Sequence, residues 1–260
     1  MNALAEVRAL YQAGRYAEAE AGARSVAAAQ ERPHDEPYAP MALGMAALSV
    51  SALGRNTEAL ALYDALLPDF DKVFGPEHTM TLKLRTDRAQ ALNLLGRHEE
   101  CKAECTEVMH LAMSNRTPET PYVLVAALNS QIAALSALGD YRAVEELTRD
   151  FLSAYNRTDQ FTLIVQLSLT TSLNAQGRHE EALAEAERAD EIHRALPPEH
   201  RGPETGAADL ATATALHGLG RDAEARPLAA SVHDACLTAF GPADIRTTQA
   251  EALLTRIDGN

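Results

Sequence analysis

Apolar residues recur at helical spacing along the chain, and a glycine interrupts them at Gly14, Gly54, Gly96, Gly139, Gly177 and Gly220, spacings of 40, 42, 43, 38 and 43 residues. Four residues before each glycine stands an aliphatic side chain: Leu10, Val50, Leu92, Leu135, Leu173 and Leu216. Five residues after each comes a small or modest one: Ala19, Ala59, Cys101, Val144, Ala182 and Ala225. A glutamate precedes that residue in every case but one, where Ala143 takes its place. A fixed period of this length marks a stack of one supersecondary unit. Glycine adopts the left-handed conformation that ends one helix and turns into the next, so each of these is read as a corner between two antiparallel helices. The small residue lies where the two helices approach closely, and a larger side chain there would overpack the seam.

Breakers separate the pairs: Pro33, Pro37 and Pro40, then Gly75-Pro76, Thr117-Pro118, Asn156 to Asp159, Pro197-Pro198 through Pro203, and Gly241-Pro242. The spacing predicts helix pairs near 2–31, 39–73, 76–115, 119–155, 159–195 and 203–239, and a lone helix near 243–257, thirteen helices in all. The last is expected to be a cap, its Asp244, Arg246, Gln249, Glu251 and Arg256 suiting a polar outer face. Pro227, in the first two turns of its helix, predicts a local distortion. The expectation is an all-α chain forming a single domain over 1–260.

Composition supports close helix packing. Hydrophobic residues make up 46% but aromatics only 5%, with no tryptophan, so the core rests on Leu, Ala and Val. Twenty-three basic against 37 acidic residues leave a formal charge of -14, the wrong sign for binding nucleic acid or an anionic membrane surface. Cys101, Cys105 and Cys236 are odd in number and have no Cys-x-x-Cys spacing, which argues against a disulfide framework or structural zinc. The opening residues lack a basic run followed by an apolar stretch, and no window reaches the roughly 18 apolar residues of a membrane span. A cytoplasmic location is expected.

The glycine corner with alanine five residues on resembles the tetratricopeptide repeat family. Phe74-Gly75-Pro76-Glu77-His78 and Phe240-Gly241-Pro242-Ala243-Asp244 are similar to the openings of its longer, kinesin-light-chain-like bacterial type. The units exceed that family's usual length of about 34 residues. The resemblance implies a right-handed superhelical α-solenoid of about six helix-turn-helix repeats with a capping helix, binding partners along its concave wall. The chain departs from the pattern in lacking the early tryptophan. It also departs at Arg85, Gln166 and Asp209, eleven residues before their glycines, where an apolar residue is expected.

In such arrays the first helix of each pair lines the concave wall. Offsets of three, six and ten before the glycine share one helix face. That stripe contains Gln90, Asn93, Asn129, Ser136, Thr171, Asn174, Thr214 and His217, rich in amides and hydroxyls and nearly free of charge. Such groups offer donors and acceptors together, which suits an extended peptide's main chain or a polar small ligand. The alternative is that they only solvate an open wall. Lys83, Arg85 and Arg88 are secondary candidates for holding an anion, against the simpler reading of ion pairs with Asp87 or another acidic neighbour.

Other candidate chemistry gives way to the repeat register. His98, Cys101, Glu104 and Cys105 have helical metal-ligand spacing, but Cys101 fills the small-residue column and Cys105 lies one turn along the same face. The string Gly218-Leu219-Gly220-Arg221-Asp222-Ala223 matches a loose dinucleotide fingerprint without the strand that fingerprint needs. His78 and His200 belong to helix openings and are read as caps or turns. The acidic runs at Glu99-Glu100, Glu145-Glu146 and Glu180-Glu181 open second helices, where they complement the dipole. No catalytic, metal or cofactor site is expected. The leading reading is a scaffold for a protein or peptide partner, with room for a homodimer through its exposed ends. The alternatives are an accessory protein or enzyme of a peptide-modifying or small-molecule pathway, or the sensing half of a bacterial regulator.

Overall fold

The computed structural model describes residues 3–29, 38–114, 117–155 and 157–259, with the side chain of Glu199 excepted. Pro33, Pro37 and Asn156, expected as breakers, lie outside the described residues. The chain divides into two compact units, Met1–Leu138 and Gly139–Asn260. The first holds α1 (Ala3–Gln12), α2 (Tyr16–Ala28), α3 (Tyr38–Ala52), α4 (Asn56–Val73), α5 (Thr79–Leu94), α6 (His98–Ser114) and α7 (Thr120–Ala137). The second holds α8 (Tyr141–Ala154), α9 (Gln160–Ala175), α10 (His179–Ala195), the short α11 (Pro198–Arg201), α12 (Ala207–Gly218), α13 (Asp222–Phe240) and α14 (Ile245–Asp258). The thirteen expected helices are all present, and α11 with the 3₁₀ turn Gly202–Glu204 fills the proline-rich stretch where the sixth pair was expected to begin. No helix among the described residues is long and apolar enough to cross a membrane.

Within the first unit each helix packs on its successor, and the alternate helices α1, α3, α5 and α7 also touch in turn. Within the second, α9, α12 and α14 touch in the same way while α10 and α13 pack behind them. Stacked hairpins make this contact pattern, with first helices forming a wall of their own.

The corner glycines all adopt left-handed φ, from +72° at Gly220 to +78° at Gly54. The following N–H reaches back to the carbonyl of the aliphatic column, as in Arg97 to Leu92 (2.9 Å) and Arg178 to Leu173 (3.0 Å), closing a Schellman-type end. The same arginine then turns onto the glutamate three residues on: Arg15 to Glu18, Arg55 to Glu58, Arg97 to Glu100, Arg178 to Glu181 and Arg221 to Glu224. These hydrogen bonds hold the carboxyls of Glu18, Glu100, Glu181 and Glu224 below the usual range. At the fourth corner Asp140 replaces the arginine and accepts from the Ala143 N–H instead, so the missing glutamate there has no partner to answer. Ala19, Ala59, Cys101, Ala182 and Ala225 are fully buried and Val144 nearly so, as the close seam requires. Helix α13 runs unbroken through Pro227, and α4 likewise carries Pro68. His78 caps α5 by accepting from the Met80 N–H (3.2 Å).

Gly218 is a site of close approach rather than of unusual φ. A Cβ built there would lie 2.4 Å from the His179 ring. Gly218→Ala is therefore expected to push His179 aside and cost about 1–3 kcal/mol by overpacking. Urea unfolding of the variant reads the loss, and an unchanged midpoint would refute the contact.

Candidate functional site on the first-helix face

At five of the six corners the stripe residue three before the glycine meets the residue two positions after it, at the start of the second helix. Asn93 Oδ1 lies 2.6 Å from His98 Nδ1, and Asn174 Oδ1 lies 3.1 Å from His179 Nδ1. His217 Nδ1 lies 2.6 Å from Asp222 Oδ1, and Ser51 donates to Asn56 Oδ1 (3.0 Å). At the first corner the pair is aromatic, with Tyr11 and Tyr16 ring centroids 5.2 Å apart. Asn93, Asn174 and His217 thus each have one polar atom engaged in clasping their own corner. Replacing all three amides Asn93, Asn129 and Asn174 would disturb corners as well as any ligand.

In the second unit the stripe opens into a cavity of about 440 Å³ between α9, α12 and α14. Leu167, Thr171, Asn174 and Ala175 of α9 form one side, and Ala207, Leu210, Ala211 and Thr214 of α12 form the floor. Arg246, Gln249, Ala252 and Arg256 of α14 form the other side. The structure therefore brings Thr171, Asn174 and Thr214 together as the sequence pattern predicts, while His217 is absent from the lining. The hydroxyls of Thr171 and Thr214 donate to the carbonyls of Leu167 (2.9 Å) and Leu210 (2.8 Å), so their oxygens keep lone pairs to accept from a ligand. Asn174 gives its Nδ2 to the Ala211 carbonyl (3.1 Å), tying α9 to α12.

The contribution of α14 departs from expectation. Arg246, Gln249 and Arg256, assigned from sequence to the outer face of a cap, line the cavity. The missed signal is Gly259, 39 residues beyond Gly220, which places Arg256 in the same column as Asn174 and His217. Arg246 is bound within the fold: it donates to the carbonyls of Pro203 (2.5 Å) and Thr205 (3.2 Å) and lies 4.8 Å over the Phe240 ring, with Glu204 at 3.5 Å.

In the first unit Gln90 is exposed, and Asn129 and Ser136 are half-buried. Among the described residues the buried Oδ1 of Asn129 has no hydrogen-bond partner, nor have Gln131 Oε1 and the Tyr63 hydroxyl. Burial pushes the Tyr63 phenol well above its ordinary pKa and also raises Tyr11 and Asp87. The exposed Lys83 pairs with the half-buried Asp87 at 2.7 Å. Arg85 donates to Glu104 (2.6 Å) and Glu107 (2.7 Å), and Arg88 to Asp64 (2.6 Å) and Glu104 (3.4 Å). Both guanidiniums are thus engaged by carboxylates of α4 and α6, and the expected pairing with Asp87 falls to Lys83 instead.

Gln166 follows the same rule as Arg85. It is buried on α9 and donates to Glu185 Oε2 (2.6 Å) on α10. Arg85 and Gln166 each stand eleven residues before a glycine, and their partners Glu104 and Glu185 stand eight after it. Asp209, the third departure, is exposed. Cys101 and Cys105 are fully buried with sulfurs 4.0 Å apart, and their contact, with burial, pushes the Cys105 thiol up. No grouping of His, Cys, Asp or Glu among the described residues could hold a metal ion.

Two crystal structures of a putative kinesin light chain from Podosopora anserina, with nearly identical TPR-like repeats, superpose on this chain. One, of a variant with a single glutamine-to-methionine substitution, has a TM-score of 0.62 at 22% identity, covering 74% of this chain and 92% of that one. The other has a TM-score of 0.61 at 21% identity, covering 73% and 92%. The chain has the tetratricopeptide-like repeat fold. No family model matches the sequence, and no curated protein does. The tetratricopeptide-like corners here lie 38 to 43 residues apart.

Proposed function

We propose that the chain is a non-catalytic cytoplasmic scaffold, of bacterial type, that holds an extended segment of a partner protein against its first-helix faces. The observation that carries this reading is the cavity between α9, α12 and α14. Its floor of Leu and Ala accepts an apolar side chain, while Thr171, Thr214 and Gln249 offer hydrogen bonds to a main chain. Among the described residues the lining holds hydroxyl, amide, guanidinium and aliphatic groups, the kinds that bind a peptide segment. A volume of about 440 Å³ also suits a polar small ligand, which is the second reading.

Ala175 and Ala252 are exposed lining residues outside the packed core, so a large side chain there fills the cavity without straining the fold. Selection of a randomised peptide library on the full chain is expected to enrich a family of extended sequences. Ala252→Trp is expected to weaken their binding at least about tenfold, the loss of roughly 1.4 kcal/mol. Helicity by circular dichroism should not change. Peptides that bind Ala252→Trp as tightly as wild type would refute the site. Failure to enrich any peptide, with thermal stabilisation by a small polar compound, would favour the second reading.

A further inference from the structure

The cavity face of α14 carries an inference about ligand chemistry that rests on the groove reading above. The chain is strongly acidic, with a formal charge of -14, and its arginines are extensively paired with its own carboxylates. Arg256 is an exception. It is exposed on the cavity face and, among the described residues, makes neither an ion pair nor a hydrogen bond. Its neighbour in sequence, Asp258, is taken by Arg226 at 2.7 Å. The other arginine of the lining, Arg246, is held by backbone carbonyls and the Phe240 ring. Among the described residues no carboxylate lines the cavity; Glu204, 3.5 Å from Arg246, competes for that arginine, and none pairs with Arg256. A net negative chain repels an anion over most of its surface, so a pocket walled by guanidinium without carboxylate is where an anionic group gains most.

Gln249 stands two turns before Arg256 on the same face, exposed and with no hydrogen bond among the described residues. Seven residues of helix rise by about 10.5 Å, the length of about three residues of extended chain. The aliphatic floor at Leu210 lies between the two walls, with Leu167 of the α9 wall beside it. We propose that this cavity receives an acidic side chain of an extended partner segment, its carboxylate on Arg256, a main-chain carbonyl about three residues away on Gln249, and an intervening aliphatic side chain on the floor. Arg256 presents the paired N–H groups that match a carboxylate, which an amide in the ligand cannot reproduce.

The test uses a randomised octapeptide library, N-acetylated and C-amidated, selected on the full chain, followed by fluorescence anisotropy of one enriched peptide. The enriched family should carry Asp or Glu at one fixed position with an aliphatic residue within three positions of it. Arg256→Gln should weaken binding 10- to 100-fold, and so should changing the peptide's acidic residue to its amide. The two losses should not add when combined. Arg256 is exposed, so an unchanged thermal midpoint verifies that the variant folds. Enriched peptides without an acidic residue, or an affinity within twofold in Arg256→Gln, overturn the proposal. If Ala252→Trp still abolishes binding in that case, the groove reading stands without it. Tighter binding of the same peptides with a free C-terminus in place of the acidic side chain assigns the carboxylate to a chain end and overturns the side-chain assignment. A library that yields no peptide overturns both readings together.

Discussion

Gly206→Ala is expected to destabilise the second unit by about 2–5 kcal/mol, from left-handed strain of about 1–2 and overpacking of about 1–3. Gly206 precedes α12 at φ +74°, and a Cβ there would lie 3.0 Å from Cys236 Sγ and 3.2 Å from Val232 Cγ1. Both neighbours are buried, so neither can swing into solvent. The Thr205 carbonyl beside it also receives the Cys236 thiol and the Arg246 guanidinium, which ties this turn to α13 and α14. Gly177→Ala separates the two causes, because Gly177 has the same φ of +74° with nothing within 4 Å of an added Cβ. It should lose only the conformational part, about 1–2 kcal/mol. Adding Cys236→Ala to Gly206→Ala removes the closest contact and should recover part of the difference. Equal losses in Gly206→Ala and Gly177→Ala, measured by urea unfolding, would show that crowding plays no part.

The corner columns were readable because each serves one backbone event that every hairpin repeats. Glycine provides the turn, the aliphatic residue four before it provides both a core side chain and the carbonyl that closes the helix, and the small residue five after it sets the seam. The Gly-Arg corner with its glutamate was visible as two columns but not as a pair. An exposed i, i+3 contact leaves no mark on hydrophobic periodicity, so only the geometry joined Arg97 to Glu100. The cavity was half legible. Helical phase placed Thr171, Asn174 and Thr214 on one face, and the structure seats them in one lining. Phase could not say that Asn174 would also hold His179 and Ala211, since those bonds depend on how neighbouring hairpins stack. The role of α14 was missed through treating the last helix as an end, when Gly259, 39 residues beyond Gly220, keeps the spacing of the glycine column and brings Arg256 into phase without itself being a left-handed corner.

The departures at Arg85 and Gln166 had a sequence signature too, in the residue opposite. In the second pair the positions eleven before and eight after the glycine are Leu43 and Leu62; in the third they are Arg85 and Glu104, and in the fifth Gln166 and Glu185. Polarity changes at both positions together, as it must when two side chains share one buried seam. Gln166 and Glu185 are 5% and 7% exposed, so either left alone is a buried polar group without its partner. Gln166→Leu deprives Glu185 of its 2.6 Å donor while Arg188 remains at 2.7 Å, and is expected to cost about 1–3 kcal/mol. Glu185→Leu leaves the Gln166 amide only the long bond to the carbonyl of residue 185 (3.4 Å) and should cost a similar amount. The double substitution recreates the apolar pairing of Leu43 with Leu62, and should be less destabilising than either single change, with a coupling of about 1–3 kcal/mol in a double-mutant cycle. Additive losses would mean that the two residues act independently and that their joint departure from the apolar pattern has another cause. Coupling would identify these hairpins as ones in which a buried hydrogen bond replaces a leucine contact, fixing the pitch of α10 on α9 by bond geometry where the other pairs rely on packing alone.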